Sequence, residues 1–198
     1  MASIEAFHRD TKRFWEFYRP RFEMLGDKAP NAAHDALATL ESRGLLEAVI
    51  TQNIDRLHRA AGTEDLIEVH GSIATSSCTS CGASWGLDEV EQLFDPDDGV
   101  ATCPGCMGKI KPDVTLFGEM LPVEAIERAR ELASSAELML CIGSSLEVFP
   151  AADLPELTLA NGGRLAILTK GPTPYDGEAT VRLDGDLAEE LPAVLAAV

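Results

Sequence analysis

The chain has 198 residues, 45% of them hydrophobic, and a formal net charge of −17. That length holds one full domain, or one domain with a small insert, around a real core. The charge argues against binding a phosphate backbone, and no apolar run reaches the roughly 18 residues of a membrane span.

Met1 to Lys12 lacks a continuous apolar stretch, so no signal peptide is expected and the cytoplasm is the expected location. An acidic surface suits a cationic substrate such as a lysine-bearing tail, and equally a general need for solubility. Neither nucleic acid nor membrane is expected as a partner.

Phe7, Phe14, Tyr18, Phe22 and Leu25 recur at helical spacing, which predicts a helix over 4–25, disturbed at Pro20. Asn31 is placed to cap a second helix with Ala33, Leu37 and Leu40 inward and Gly44 at its end. Strands are predicted at 48–51 and 66–69, followed by a cysteine-punctuated insert over 73–111. Pro122 opens a helix to about Ser134. Leu138–Ile142 reads as a strand ending at Gly143-Ser144-Ser145, and Cys141 within it as a small buried hydrophobe. A helix from Pro150 to Asn161-Gly162-Gly163, strands at 164–168 and 180–183, and a closing helix at 187–197 complete the chain. Alternating strands and helices imply an α/β fold with a parallel sheet. Thr51-Gln52-Asn53, Gly143-Ser144-Ser145 and Thr169-Lys170-Gly171 fall at strand C-termini, where doubly wound sheets place their ligands.

Cys78-x-x-Cys81 and Cys103-x-x-Cys106 each offer two sulfurs from one tight turn. Four thiolates make a closed tetrahedral zinc site, hence a structural one. Gly82 and Gly105 are expected to supply the turns. Unrelated thiols or a redox pair are the alternatives, and the matched spacing argues against both.

His70 follows an apolar extended segment and precedes Gly71-Ser72. The residues alone leave two roles open, a packed core histidine or a general base near neutral pH. Gln52, Asn53 and Asp55 are likewise open between local capping and ligand binding.

These runs together resemble the sirtuin family. They are Thr51-Gln52-Asn53-Ile54-Asp55-Arg56-Leu57-His58-Arg59-Ala60-Ala61-Gly62, Glu68-Val69-His70-Gly71, the four cysteines, Lys111 to Glu119, and Gly143-Ser144-Ser145-Leu146-Glu147-Val148-Phe149-Pro150. They occur in the family's order and spacing over nearly the whole chain, in a style similar to bacterial members.

The resemblance implies a Rossmann-like NAD-binding domain over 1–72 and 112–198, with a zinc-binding small domain over 73–111. It implies NAD-dependent removal of acyl groups, acetyl first among them, from protein lysines, giving nicotinamide and O-acyl-ADP-ribose. His70 would be the general base on a ribose hydroxyl. Asn53 and Asp55 match positions that hold the nicotinamide ribose and carboxamide, and Gln52 a ribose neighbour. Gly143, Ser144 and Ser145 match the turn that meets phosphates and adenosine ribose. Thr169 stands where an asparagine usually contacts that ribose, and Thr115 where a valine is usual. Thr115, Phe117, Gly118 and Glu119 match the loop that pairs with substrate peptide by strand addition. Phe117 and Val148 match walls of an apolar acyl-lysine tunnel.

Tyr18 and Arg21 match a Tyr-x-x-Arg pair that grips acidic acyl groups, or else Arg21 is simply an exposed helix residue. The family's first strand, Gly-Ala-Gly turn and Pro-Asp-Phe-Arg loop have no counterpart in the sequence. An incomplete NAD site and weak activity are therefore expected of the 198 residues alone, whether through a mis-set start or a genuinely truncated product. The competing functions are an inactive zinc-stapled module that binds acyl-peptides or a partner, and mono-ADP-ribosyl transfer.

Overall fold

The computed structural model describes residues 2–198. In chain order its elements are helices α1 (Ile4–Arg9), α2 (Thr11–Gly26) and α3 (Ala32–Ser42), strand β1 (Val49–Thr51), helix α4 (Leu57–Ala60), strands β2 (Leu66–Glu68), β3 (Gly71–Cys78) and β4 (Ser84–Gly86), helix α5 (Leu87–Glu91) and strand β5 (Ile110–Val114). Helix α6 (Val123–Ser135), strand β6 (Leu138–Ile142), a 3-10 turn (Ala151–Asp153), helix α7 (Leu154–Ala160), strands β7 (Arg164–Leu168) and β8 (Ala179–Leu183), and helix α8 (Leu187–Ala196) follow. They group into two compact units. Among the described residues no helix is long and apolar enough to cross a membrane.

The first unit comprises Pro30–Gln52, Leu57–Val69 and Val123–Val198. Its strands are all parallel, in two ladders: β1 with β2, and β6-β7-β8. β7 is the most deeply buried strand. Ala166 and Leu168 pack with Leu37 and Leu40 of α3 and Leu191 of α8, whereas Leu165 and Ile167 pack with Cys141 and Leu146 on the opposite face. A strand covered on both faces reads as a continuous apolar run, as Leu165-Ala166-Ile167-Leu168 does. Burial pushes the Cys141 thiol up to about 12, so it stays protonated and behaves as the small hydrophobe expected. The Asn31 cap forms, with its side-chain oxygen accepting the Ala33 and His34 amides at 3.0 and 3.2 Å. Gly44 follows α3 at φ +71°, the left-handed exit glycine favours.

The second unit runs up to Ala29 and adds Asn53–Arg56 and His70–Pro122. It is therefore wider than the 73–111 insert. Phe7, Phe14, Trp15 and Phe22 of α1 and α2 form one buried cluster with Ile73, Val114 and Leu116, which binds the amino-terminal helices to β3 and β5. The Trp15 indole N–H donates to the Ile110 carbonyl at 3.2 Å. β3 lies between β4 and β5 in an antiparallel sheet.

The helix expected over 4–25 is in fact two. The break is at Asp10, not Pro20. Asp10 leaves helical geometry (φ −151°, ψ 81°) and its carboxylate caps α2 by accepting the Arg13 amide at 3.0 Å. Pro20 sits within α2, on an exposed face. The hydrophobic period continues across the break, because Phe7 and Phe14 both face the same cluster, so periodicity alone did not reveal it.

Candidate active site and metal centre

The four cysteines converge. Their sulfurs all lie within 4.8 Å of one another, with Cys78 and Cys106 at 3.5 Å and Cys81 and Cys103 at 3.7 Å. A tetrahedron of Zn–S bonds of about 2.3 Å has S···S edges of about 3.8 Å, whereas a disulfide needs about 2.05 Å. The residues present thus fit structural zinc. Cys78 closes β3. The Gly82 amide donates to the Cys78 carbonyl at 3.0 Å, and the Met107 amide to the Cys103 carbonyl at 2.8 Å.

The first knuckle turns at Gly82 (φ +74°), as expected. The second turns at Met107 (φ +61°), so Gly105 is not its left-handed residue. Met107 holds the same place after its cysteine pair as Gly82 does. Gly108 is needed instead for close approach, since a Cβ there would fall 2.8 Å from the Cys78 sulfur.

The electrostatics of the cluster call for a cation. Amides of Cys81 and Ser80 lower the Cys78 thiol to about 6. The Gly108 amide acts to lower Cys106, but the surrounding sulfurs of Cys78, Cys81 and Cys103 push it up to about 12. Four thiolates packed this closely repel one another, and a divalent ion removes that penalty.

In the parallel-sheet unit, the cofactor candidates gather at strand C-termini. Gly143 leaves β6 at φ +62° and donates its amide to the Leu168 carbonyl at 2.9 Å. Ser144 Oγ accepts the Leu146 amide at 3.2 Å and the Gln52 side-chain amide at 3.4 Å. The structure thereby joins two of the sequence-chosen residues from separate ladders. Ser145 is exposed beside them. Thr169, at the end of β7, donates its amide to the Leu183 carbonyl at 3.0 Å.

Sequence reasoning missed two residues in this region. Leu146 is buried at φ +54°, an unusual conformation for a leucine, and it anchors the 143–149 loop in the core. Arg182 donates to the carbonyls of Thr169, Gly171 and Leu183, holding the Thr169 turn from β8. An arginine in a short apolar strand was the one signal available for it.

In the cysteine unit, His70 occupies the turn leading into β3 and is partly buried. Its carbonyl accepts the Thr115 amide at 2.8 Å, and the Ile54 carbonyl accepts the Ile73 amide at 3.1 Å. Asn53 and Asp55, either side of Ile54, are therefore tied to the strand that His70 leads into. Gly71 makes the turn possible. It sits at φ +71°, and a Cβ there would lie 2.0 Å from the Asp113 carbonyl oxygen. Gly71→Ala is expected to cost about 2 kcal/mol or more, lowering Tm by about 4–8 °C in a chain of this size. A thermal melt checks this, and an unchanged Tm would contradict the turn geometry.

The Thr115–Glu119 segment follows β5. Phe117 is 71% exposed, and its backbone is bridged to the chain start: its amide donates to the Ala2 carbonyl at 2.8 Å and its carbonyl accepts the Ile4 amide at 3.0 Å. Gly118 is exposed at φ +91°. The Glu119 carboxylate turns back into its own loop, accepting the Leu116 amide at 2.8 Å. In the parallel-sheet unit, Val148 is 46% exposed.

On α2, the Tyr18 ring packs on Phe14 and Phe22, and burial raises its hydroxyl while the Arg21 charge acts the other way. The Arg21 guanidinium lies 3.5 Å over the Phe17 ring and donates to the Phe17 carbonyl.

A model of the Sir2 family matches residues 1–150. The NAD-dependent protein deacetylase of Caldivirga maquilingensis is 43% identical over 195 residues, covering 98% of this chain and 75% of that protein. The NAD-dependent protein deacylase of Thermococcus sibiricus is 42% identical over 203 residues, covering 100% of this chain and 78% of that protein. Among solved structures, a Sir2 with a p53 peptide and NAD+ superposes with a TM-score of 0.96 at 39% identity, covering 100% of this chain and 82% of that one. Sir2Tm bound to a propionylated peptide superposes with a TM-score of 0.95 at 39% identity, covering 99% and 82%. A family match over three quarters of the sequence, joined to relatives this similar along almost its whole length, places this chain in the Sir2 family.

Proposed function

We propose that this chain is an NAD-dependent protein-lysine deacylase, a reading that its Sir2-family relatives of that activity support. When bound, NAD would supply an electrophilic ribose carbon carrying nicotinamide as a leaving group, open to attack by the substrate's acyl oxygen. The protein's part is to hold, orient and deprotonate. Ser144, Ser145 and Thr169 offer small hydroxyls at strand ends, where phosphate and ribose oxygens are received, and Gly143 lets the backbone approach closely there. Gln52 fixes Ser144. Asn53 and Asp55 orient the nicotinamide ribose and carboxamide. His70 takes the proton from a ribose hydroxyl at its imidazole nitrogen. The observation that carries this reading is the tie of the 53–55 segment to β3 through Ile54 and Ile73, which puts those polar groups and the imidazole in one compact unit.

The parallel-sheet unit is assigned as the NAD-binding part, and the cysteine unit as the zinc-bearing part. The zinc is structural, since four thiolates leave it no open position. Phe117 and Val148 each offer apolar surface to an acylated lysine stem, which has lost its charge and so enters such surroundings cheaply. An acylated lysine in a protein is the substrate, and the net charge of −17 favours basic sequence around it. Five cysteines free of disulfides suit a reducing cytoplasm.

The acyl group proposed is acetyl. The Arg21 fork is engaged on its own helix by the Phe17 ring and carbonyl, which leaves a distal carboxylate poorly matched. An unpaired carboxylate in apolar surroundings costs more than the 1.4 kcal/mol that makes a tenfold rate difference. Succinyl-peptide should therefore turn over at least about tenfold more slowly than acetyl-peptide, and Arg21→Met should leave that ratio within about twofold. Steady-state kinetics with both peptides test this. Succinyl preference that collapses in Arg21→Met would instead assign Arg21 to the acyl carboxylate. Binding of acyl-peptide with no NAD-dependent turnover would favour a binding module.

A further inference from the structure

Lys111 has no role in the reaction as described, yet its surroundings are unusual. Its side chain is 15% exposed, and the ammonium donates to three acceptors: the Pro112 carbonyl at 3.0 Å, the Val114 carbonyl at 2.8 Å and Glu119 Oε2 at 3.1 Å. An ammonium has three N–H donors, so all three are used. The same Glu119 oxygen accepts the Leu116 amide at 2.8 Å, and the Glu119 amide returns to the Leu116 carbonyl at 3.0 Å. Glu119 is itself 23% exposed. Strand β5 and the turn that follows it are thus pinned together by one partly buried ion pair. The residues enclosed between its ends are Thr115, Leu116, Phe117 and Gly118.

We propose that Lys111 and Glu119 are positioning residues that set the register of the 115–118 segment for substrate peptide. This rests on the deacylase reading and deepens it. Glu119 thereby acts through the loop rather than by touching substrate. A peptide that adds as a strand reads backbone groups, so its affinity depends on where the receiving carbonyls and amides point. Phe117 already has both backbone groups committed to Ala2 and Ile4, which leaves the rest of the turn to be aimed by the clasp. A charge pair suits that task better than apolar packing, because it imposes direction and leaves an uncompensated charge if either partner is lost. Phe117 and Gly118 are exposed and make no apolar anchor of their own, so the segment is held by the buried Leu116 side chain, the Phe117 backbone bonds to Ala2 and Ile4, and the clasp.

The test uses Lys111→Met, Glu119→Ala and Glu119→Gln. Lys111→Met and Glu119→Ala should raise KM for acetyl-peptide about ten- to hundredfold, with KM for NAD within about twofold. Amide exchange at Leu116 should quicken in both. Glu119→Gln keeps an amide oxygen for the Leu116 N–H but leaves the Lys111 charge uncompensated, so its peptide KM should fall between those of the unmutated protein and Glu119→Ala. Equal rises in both KM values together with a fallen Tm would reduce the pair to a general structural role and overturn the proposal. So would unchanged exchange at Leu116. If the unmutated protein shows no NAD-dependent turnover, the functional reading fails by itself. Exchange rates and fluorescence-polarisation binding of labelled acetyl-peptide still decide the clasp, and equal binding by Lys111→Met and the unmutated protein would reject it.

Discussion

His70→Ala is expected to lower deacylation turnover by a factor on the order of 10² to 10⁴, the usual range for losing a positioned general base. Steady-state nicotinamide release and deacylated peptide should fall together, because the intermediate left when nicotinamide departs must be resolved by that hydroxyl before the site can turn over again. The fold should survive the change. His70 is only partly buried, and its carbonyl, which accepts the Thr115 amide, is kept by alanine. Gly71, not His70, carries the left-handed turn. Tm and zinc content should therefore match the unmutated protein while kcat collapses. A loss smaller than about tenfold would remove the base assignment, and a loss accompanied by unfolding would make His70 a core histidine instead.

Loss of the metal should have the largest effect on stability. Cys103 is buried, and its sulfur lies against that of Cys81, so Cys103→Ala opens the tetrahedron. With free zinc a thousandfold above Kd, linkage to the folded state is worth about 4 kcal/mol. In a chain of this size that is about 8–16 °C of Tm. The unmutated protein should release one zinc per chain to a chromophoric indicator under denaturing conditions, and a strong chelator should lower its Tm to that of the variant. The effect should centre on the cluster of Val90, Ala101 and Ile110, which packs directly on Cys78 and Cys103. If Cys103→Ala melts at the same temperature and the unmutated protein carries no metal, the cluster is four thiols and nothing more.

Much of this architecture could be read from the residues. Asn31 and Gly44 bracket α3 because a side-chain acceptor and a left-handed exit are local requirements, met by residue type. The paired cysteines announce their convergence by spacing. β6 and β7 stand out as apolar runs bounded by glycine and polar residues.

What could not be read depended on contacts distant in sequence. The helix break at Asp10 hides because both flanking helices feed one aromatic cluster. Met107 takes a left-handed conformation imposed by the second knuckle, where a glycine would have been the natural reading. Glu119 belongs to a recognisable motif, yet only the fold shows its carboxylate turned back to Lys111 and Leu116. Arg182 is similar: its role comes chiefly from the Thr169 and Gly171 carbonyls on the turn after β7, which its own strand does not announce.

The most direct measurement is the product balance with NAD and an acetyl-lysine peptide, followed by mass spectrometry. For each lysine freed, one NAD should be consumed, one nicotinamide released and one O-acetyl-ADP-ribose formed, and omission of either substrate should abolish all three. Release of free acetate with NAD left intact would contradict the account, as would ADP-ribose attached to protein with the acetyl-lysine unchanged.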